Sequence, residues 1–399
     1  MRWRVSLRAA GLVVVLSAAV QLHAGVMYTV TDLGTLGGRD SEAHGINDLG
    51  QVVGWSRTAD DAKHAFRTAP NQPINPGTDD LDVLGPSGSA ATAINNLGQV
   101  VGWSFRPGER WEHAFRTGPN QAINPATDDL GTLGGTYSAA TAINDAGLVV
   151  GHSTLGSAVI FRAFRTAPNQ RINPTTDDLG TLGGQESGAS GINAAGQVVG
   201  GASMPGDHSS HAFRTAPNKP INPPTDDLGT LGGPSSDAGG ISASGQVAGT
   251  SAFAPEPGTV DDVHIFRTRP NQPINVVTDD LGTLAGAAPS VHAINDLGHI
   301  VGVLNTPDDR QRAFVYLGST LFDLNDVIEP SSDWVLQQSF DINERGQIVG
   351  VGYLGGQLRA FRLDPIPEPS MLLVSFSGIA VFGCSARSHR RSRRALLRG

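Results

Sequence analysis

One short motif, an Ile at the head of a turn that ends in Gly, recurs seven times, and that period constrains the fold more than any other feature. Its Ile falls at Ile46, Ile94, Ile143, Ile192, Ile241, Ile294 and Ile342, at spacings of 48, 49, 49, 49, 53 and 48 residues. Four residues after each stands a Gly, from Gly50 to Gly346, followed by an apolar pair and another Gly, as in Gln51-Val52-Val53-Gly54. Asn47-Asp48-Leu49-Gly50 is hairpin chemistry, because Asn and Asp tolerate the bend and Gly supplies a positive φ between two β-prone runs. Two further modules complete the unit. One is His64-Ala65-Phe66-Arg67-Thr68, whose Phe returns at Phe115, Phe164, Phe213, Phe266, Phe314 and Phe361. The other is an Asp-Leu-Gly-Thr-Leu run, as at Leu130–Leu133. Each unit therefore predicts four short strands, called A to D in chain order.

Side-chain alternation says how those strands are covered. Val52 and Val53 are adjacent and point to opposite faces, and Leu130 and Leu133, an odd number apart, do the same. Strands apolar on both faces fit a blade packed between two other blades, since a sandwich leaves one face of each sheet wet. Strand A, rich in Ala and Gly, suits the crowded position next to a central axis. Four strands per unit of this length is the period of a propeller blade. The chain opens on a D strand, Tyr28–Leu36, and closes on a C strand, Arg359–Leu363. Together they complete one blade, so the expectation is an all-β, seven-bladed β-propeller of four-stranded antiparallel blades, closed by the N-terminal strand. The sixth D run, Phe322–Asp326, departs from the motif and marks the junction between blades 6 and 7 as the expected weak point.

With His-Ala-Phe and Asp-Leu-Gly-Thr-Leu-Gly-Gly nearly verbatim across residues 28–363, the units resemble the HAF repeats of bacterial extracellular proteins. The resemblance implies secretion and a repeat scaffold. It carries over no catalytic residue, and Arg162, Arg312 and Arg359 stand where the motif has His.

The two ends read as addresses. Arg2, Arg4 and Arg8 precede the apolar run Ala9–Val20, and Ala24 stands before Gly25. This is the pattern of a secretory signal peptide over residues 1–24, with an apolar run well short of the ~20 residues that cross a bilayer. At the other end Pro367-Glu368-Pro369 leads into Met371–Cys384 and then six Arg from Arg387 to Arg398. Residues 366–399 thus resemble the PEP-CTERM sorting signal of Gram-negative bacteria. That resemblance implies cleavage near Pro367-Glu368-Pro369 by an exosortase-type protease, transient membrane association through 371–384, and an extracellular or cell-surface destination. The body between these ends, residues 25–365, is the propeller.

Charge limits the partners. The ends hold nine Arg and one Glu, so a whole-chain net charge of −9 becomes −17 for the body. Such a surface repels nucleic acid. The lone Cys384 excludes an intrachain disulfide and a thiolate zinc cage.

Candidate chemistry is repeated around the ring and therefore dispersed. His64, His113, His211 and His264 occupy equivalent positions on different blades, whereas zinc ligands must converge within ~2 Å of one ion. Pairs such as Asp79-Asp80, Asp128-Asp129, Asp177-Asp178, Asp226-Asp227 and Asp279-Asp280 cannot supply one acid and one base in different environments, and they read as strand caps and solubilising groups. No nucleophile elbow, P-loop or zinc-protease motif occurs. The expectation is a non-enzymatic protein without cofactor or metal, an extracellular-matrix or exopolysaccharide-associated scaffold, with a carbohydrate-binding propeller as the alternative and an extracellular lyase or hydrolase behind it. The link from C to D has fixed length, 15 residues from Phe to Leu in five units, and so reads as packed structure. The B–C loops vary, and variable loops on a rigid ring are where binding resides. They share a face with the D–A links. Trp55, Trp103 and Trp111, with the insertion Ala252–Asp262, mark this as the ligand face, although Trp55 and Trp103 equally suit gaps between blades.

Overall fold

The computed structural model describes residues 27–156, 159–253, 262–284, 287–308 and 310–367. The processing positions Ala24, Gly25, Glu368 and Pro369, and residues 254–261 of the insertion, lie outside these; Pro367 is exposed. Seven antiparallel sheets form a ring, a seven-bladed β-propeller, and among the described residues helix is limited to Pro223–Asp226 and a 3-10 turn at Leu324–Asp326. No helix among the described residues is long and apolar enough to cross a membrane.

In blade 1 the inner strand A is Gly37–Ile46, B is Val52–Thr58 and C is Lys63–Arg67. The other blades repeat this order. The turn between A and B is built as its residues dictate. Gly50, at φ +80°, donates to the Asn47 carbonyl (3.0 Å), while Asn47 Oδ1 accepts from the Leu49 and Gln51 amides (3.1 and 3.0 Å).

The fourth strand differs from expectation. Four sheets have four strands, but in blades 1, 3 and 4 the outer element shrinks to one isolated bridge, such as Phe66 to Asp80. In blades 1 to 5 the run breaks at a residue of positive φ just after its Leu, Asp82, Gly131, Gly180, Gly229 and Gly282 in turn, which keeps the outer element to a few residues in each. Blade 6 differs in the opposite sense. Its divergent D strand, Thr320–Asp323, forms four register pairs with strand C, Gln311–Leu317, where the D strands of blades 2 and 5 form two. In blade 7 the first strand of the chain, Tyr28–Asp32, is the outer one and pairs with Gln357–Pro365 from Tyr28 opposite Pro365 to Asp32 opposite Phe361.

The core lies between blades. Val52 enters the layer shared by blades 7 and 1, with Phe66, Leu33, Val349 and Ala360, whereas Val53 enters the next layer with Leu81, Ala91 and Phe115. Adjacent valines thus serve two different cores, as strand alternation requires. The seven repeat phenylalanines are all fully buried, and each is the centre of one such layer.

Candidate functional site

The two faces of the ring are built differently. On the side of the A–B turns, neighbouring blades are stitched by side-chain amides. Asn47 Nδ2 donates to the Asn95 carbonyl (3.1 Å), Asn95 to Asn144 (3.1 Å), Asn144 to Asn193 (3.1 Å), Asn193 to Ser242 (3.2 Å), Asn295 to Asn343 (3.1 Å) and Asn343 to Asn47 (3.0 Å). Ser242 in place of Asn leaves the one link between blades 5 and 6 unmade. The fixed-length C–D links lie on this face too. Ile74 N donates to the Leu33 carbonyl (2.7 Å), and Arg67 Nη1 reaches the Gln121 carbonyl one blade on (3.0 Å). These groups are committed to holding the ring.

The repeat histidines and aspartates are likewise used within blades. His64 Nδ1 lies 2.9 Å from Asp80, His113 3.0 Å from Asp129, His211 2.9 Å from Asp227 and His264 2.9 Å from Asp280, each pair tying strand C to the outer segment. Arg162 and Arg312 take over in blades 3 and 6, at 3.7 Å from Asp178 and 3.0 Å from Asp323. Burial works against the charge of Asp129, yet hydrogen bonds from His113 and the Gly131 amide, with the charges of His113 and Arg106, hold its carboxyl below the usual range. The preceding carboxylates cap the link; Asp79 Oδ2 accepts from the Asn75 amide (2.8 Å) and Asp79 Oδ1 from the Thr78 hydroxyl (2.9 Å).

The opposite face, carrying the B–C loops and D–A links, is less committed. Trp55 and Trp103 sit half-buried on the B strands of blades 1 and 2, and the Lys63 ammonium lies between them, 4.2 Å from one ring and 4.9 Å from the other. They pack around that ammonium and leave only part of each ring exposed. Burial and the Arg57 charge lower the Lys63 pKa against the pull of Glu42 and Glu112. Glu42 is raised by burial but brought below its ordinary value by hydrogen bonds from His44 and Trp55 and by the charges of His44 and Lys63. Trp111 does stand out, 55% exposed on the loop of blade 2.

The residue after each Val-Val-Gly-like run decides what packs at this place in each blade. It faces the Ala of the His-Ala-Phe module across the ladder, or Ile265 in blade 5, and is Trp55, Trp103, His152, Gly201, Thr250, Val303 and Val351 in turn. The strand A residue opposite it in blade 4 is Gly188, so the methyl of Ala212 is the one side chain on the rung of these three strands. The residue before the His, Lys63 in blade 1, is Ser210 in blade 4.

A cavity of about 740 Å³ opens there between blades 3, 4 and 5. One wall is aromatic. His152 and Phe161 line it, and Tyr137 stacks behind the imidazole at 5.6 Å between ring centroids. Burial holds the His152 pKa below its ordinary value, so the imidazole is neutral. Ser190, Ser203 and Ser210 add hydroxyls, and Asp237 supplies a carboxylate exposed to the cavity. The surrounding protein pushes the Asp237 carboxyl up to about 6, against a hydrogen bond from the Ala238 amide. A Cβ at 201 would crowd Asp237 Oδ1 at 2.5 Å and turn that carboxylate aside, whereas a Cβ on Gly188 would meet nothing within 4 Å.

The cavity opens on the face expected from loop variability, on blades other than those of Trp55, Trp103 and Trp111. Asp237, Gly188, Gly201 and Ser210 went unnoticed in the sequence, although the loss of the large residue after Val-Val-Gly was written there. No protein-family model matches the chain, and no curated protein matches it. Among solved structures, an arginine-to-alanine triple mutant of AofleA from Arthrobotrys oligospora is similar over 85% of this chain and 89% of that one, at 10% identity and a TM-score of 0.34. The class is that of a seven-bladed repeat propeller, a fold that fits a binding or scaffold role.

Proposed function

We propose that this chain is a secreted or cell-surface, non-enzymatic interaction protein that engages extracellular polysaccharide through the cavity between blades 3, 4 and 5. The cavity carries the reading. It joins an aromatic wall, on which the apolar face of a sugar ring stacks, to hydroxyls and a carboxylate that take up its polar edge. The proposed route to the surface is the one the termini suggest: signal peptidase acting after Ala24, then an exosortase-type protease near Pro367-Glu368-Pro369. HAF-repeat membership, the PEP-CTERM signal and the absence of catalysis belong to the same proposal. Glycan-array binding by the purified protein tests the ligand class. Binding that Phe161→Ala weakens is expected, and a flat array overturns the polysaccharide reading. Mass spectrometry of protein from medium and envelope tests both terminal cleavages, and an intact residue 1 or 399 in the mature protein removes the sorting proposal.

A further inference from the structure

The wall of this cavity is anionic without compensation. Asp237 and Glu186 line it, His152 is neutral, and no Lys or Arg does so among the described residues. Asp237 has no ion-pair partner among the described residues, whereas most repeat carboxylates sit in a His or Arg clasp or under backbone amides. The protein itself shows what belongs in such a place. In blade 1 the register position of Asp237 is held by Glu42, and beside it the Lys63 ammonium lies against two indole rings. On the blade that carries Asp237, Val263 stands at the lysine position and Thr250 at the indole position, and across the junction blade 4 presents Ser210 and Gly201 at those two positions. The carboxylate remains near the aromatic wall of blade 3 while the internal cation is gone.

From this geometry we infer that the cavity binds a primary ammonium group carried on a sugar, the chemistry of a de-N-acetylated hexosamine, with the ammonium against Asp237 and the ring against His152 and Phe161. The ligand supplies from outside the cation that Lys63 supplies from within at blades 1 and 2. A charge-assisted hydrogen bond to a carboxylate in a cleft of low polarity is the strong, selective contact, and an aromatic face favours a cation beside it. Gly201 lets the carboxylate lie close over the blade 4 backbone, and Gly188 leaves the space for the ring. An acetylated nitrogen would present a neutral amide and leave Asp237 unpaired. Because the carboxyl sits near 6, the preference weakens as pH falls below that value and Asp237 takes up its own proton. Glu186 at the rim and neutral His152 are the other titratable groups that line the cavity.

The inference rests on the polysaccharide reading, and four probes separate the two. Isothermal titration near pH 7 compares glucosamine tetramer, N-acetylglucosamine tetramer, cellotetraose and butylammonium. The glucosamine tetramer is expected to bind at least about tenfold more tightly than the two neutral tetramers, and Asp237→Asn, an isosteric change, to abolish that preference while leaving cellotetraose binding in place. Gly188→Phe, whose side chain enters the open space, is expected to remove binding of every probe with the fold intact by circular dichroism. Equal affinity for the charged and neutral tetramers, or a preference that survives Asp237→Asn, overturns the ammonium assignment and leaves the polysaccharide reading standing. Binding of butylammonium that depends on Asp237, with no tetramer bound, removes the polysaccharide reading and keeps the ammonium. Silence of all four probes, or undiminished binding by Gly188→Phe, overturns the site.

Discussion

The junction between blades 1 and 2 and the junction between blades 4 and 5 share one backbone frame and differ in a handful of side chains. In both, the fully buried Phe of the second blade's His-Ala-Phe module, Phe115 or Phe266, sits in the apolar layer, and a Ser of that second blade accepts from a backbone amide of the first blade's module; Ala65 N donates to Ser89 Oγ at 2.8 Å and Ala212 N to Ser236 Oγ at 2.9 Å. Toward the loop face they part. The first junction is plugged by Trp55, Lys63 and Trp103; the other holds Gly188, Gly201 and Ser210 beside an uncompensated Asp237. Repetition thus builds the frame, and departure from repetition at one rung opens a cavity.

Five substitutions test how separable frame and cavity are. Phe115→Ala and Phe266→Ala should each cost ~3–5 kcal/mol by urea denaturation and agree within ~1 kcal/mol, since both create the same buried void. A large disparity would mean that the empty junction also weakens the layer beneath it. Trp55→Ala comes next, at ~2 kcal/mol, because half-buried packing and the contact with the Lys63 ammonium go together; a neutral result would show that the plug contributes little. Asp237→Asn should stabilise slightly. The folded-state pKa of about 6 lies above the ordinary value of 3.8, so the parent's stability declines as pH rises from there through 6, and the asparagine variant escapes that decline. Water in the cavity screens the carboxylate, which limits the gain to ~1 kcal/mol at pH 8, vanishing toward pH 4 in melting curves. Asp341, also pushed up to about 6 by burial, is common to both proteins and cancels. Smallest is Gly188→Leu, within ~0.5 kcal/mol of the parent in the same assay, because its Cβ enters open space; a cost above ~2 kcal/mol would contradict an open cavity.

Much of the frame was readable in advance. The seven isoleucines gave the blade count, the Val-Val pairs gave packing on both faces, and the constant distance from Phe66 to Leu81 gave a packed link, because each reflects a local rule of strand or turn geometry. The outer strands were less legible, since nearly identical Asp-Leu-Gly runs end as two register pairs in blades 2 and 5 and as a single bridge in blades 3 and 4. The histidines were read as strand-start polar residues and the aspartates as caps, and their pairing, 16 residues apart in every copy, was missed. The sequence offers Trp55 and Trp103 equally as ligand-face aromatics and as fillers between blades, and it does not show the Lys63 ammonium that lies between them.

The sequence by itself determined the period, the strand set and the face on which loops vary, because hydrophobic alternation and turn chemistry act over a few residues. Only the tertiary structure decided where the ring is open. Gly188 and Gly201 come together by pairing of two strands of one blade, and Asp237 by packing of the next blade against them. A cavity is a shortfall of volume summed over three blades, and no single stretch of the chain holds that sum.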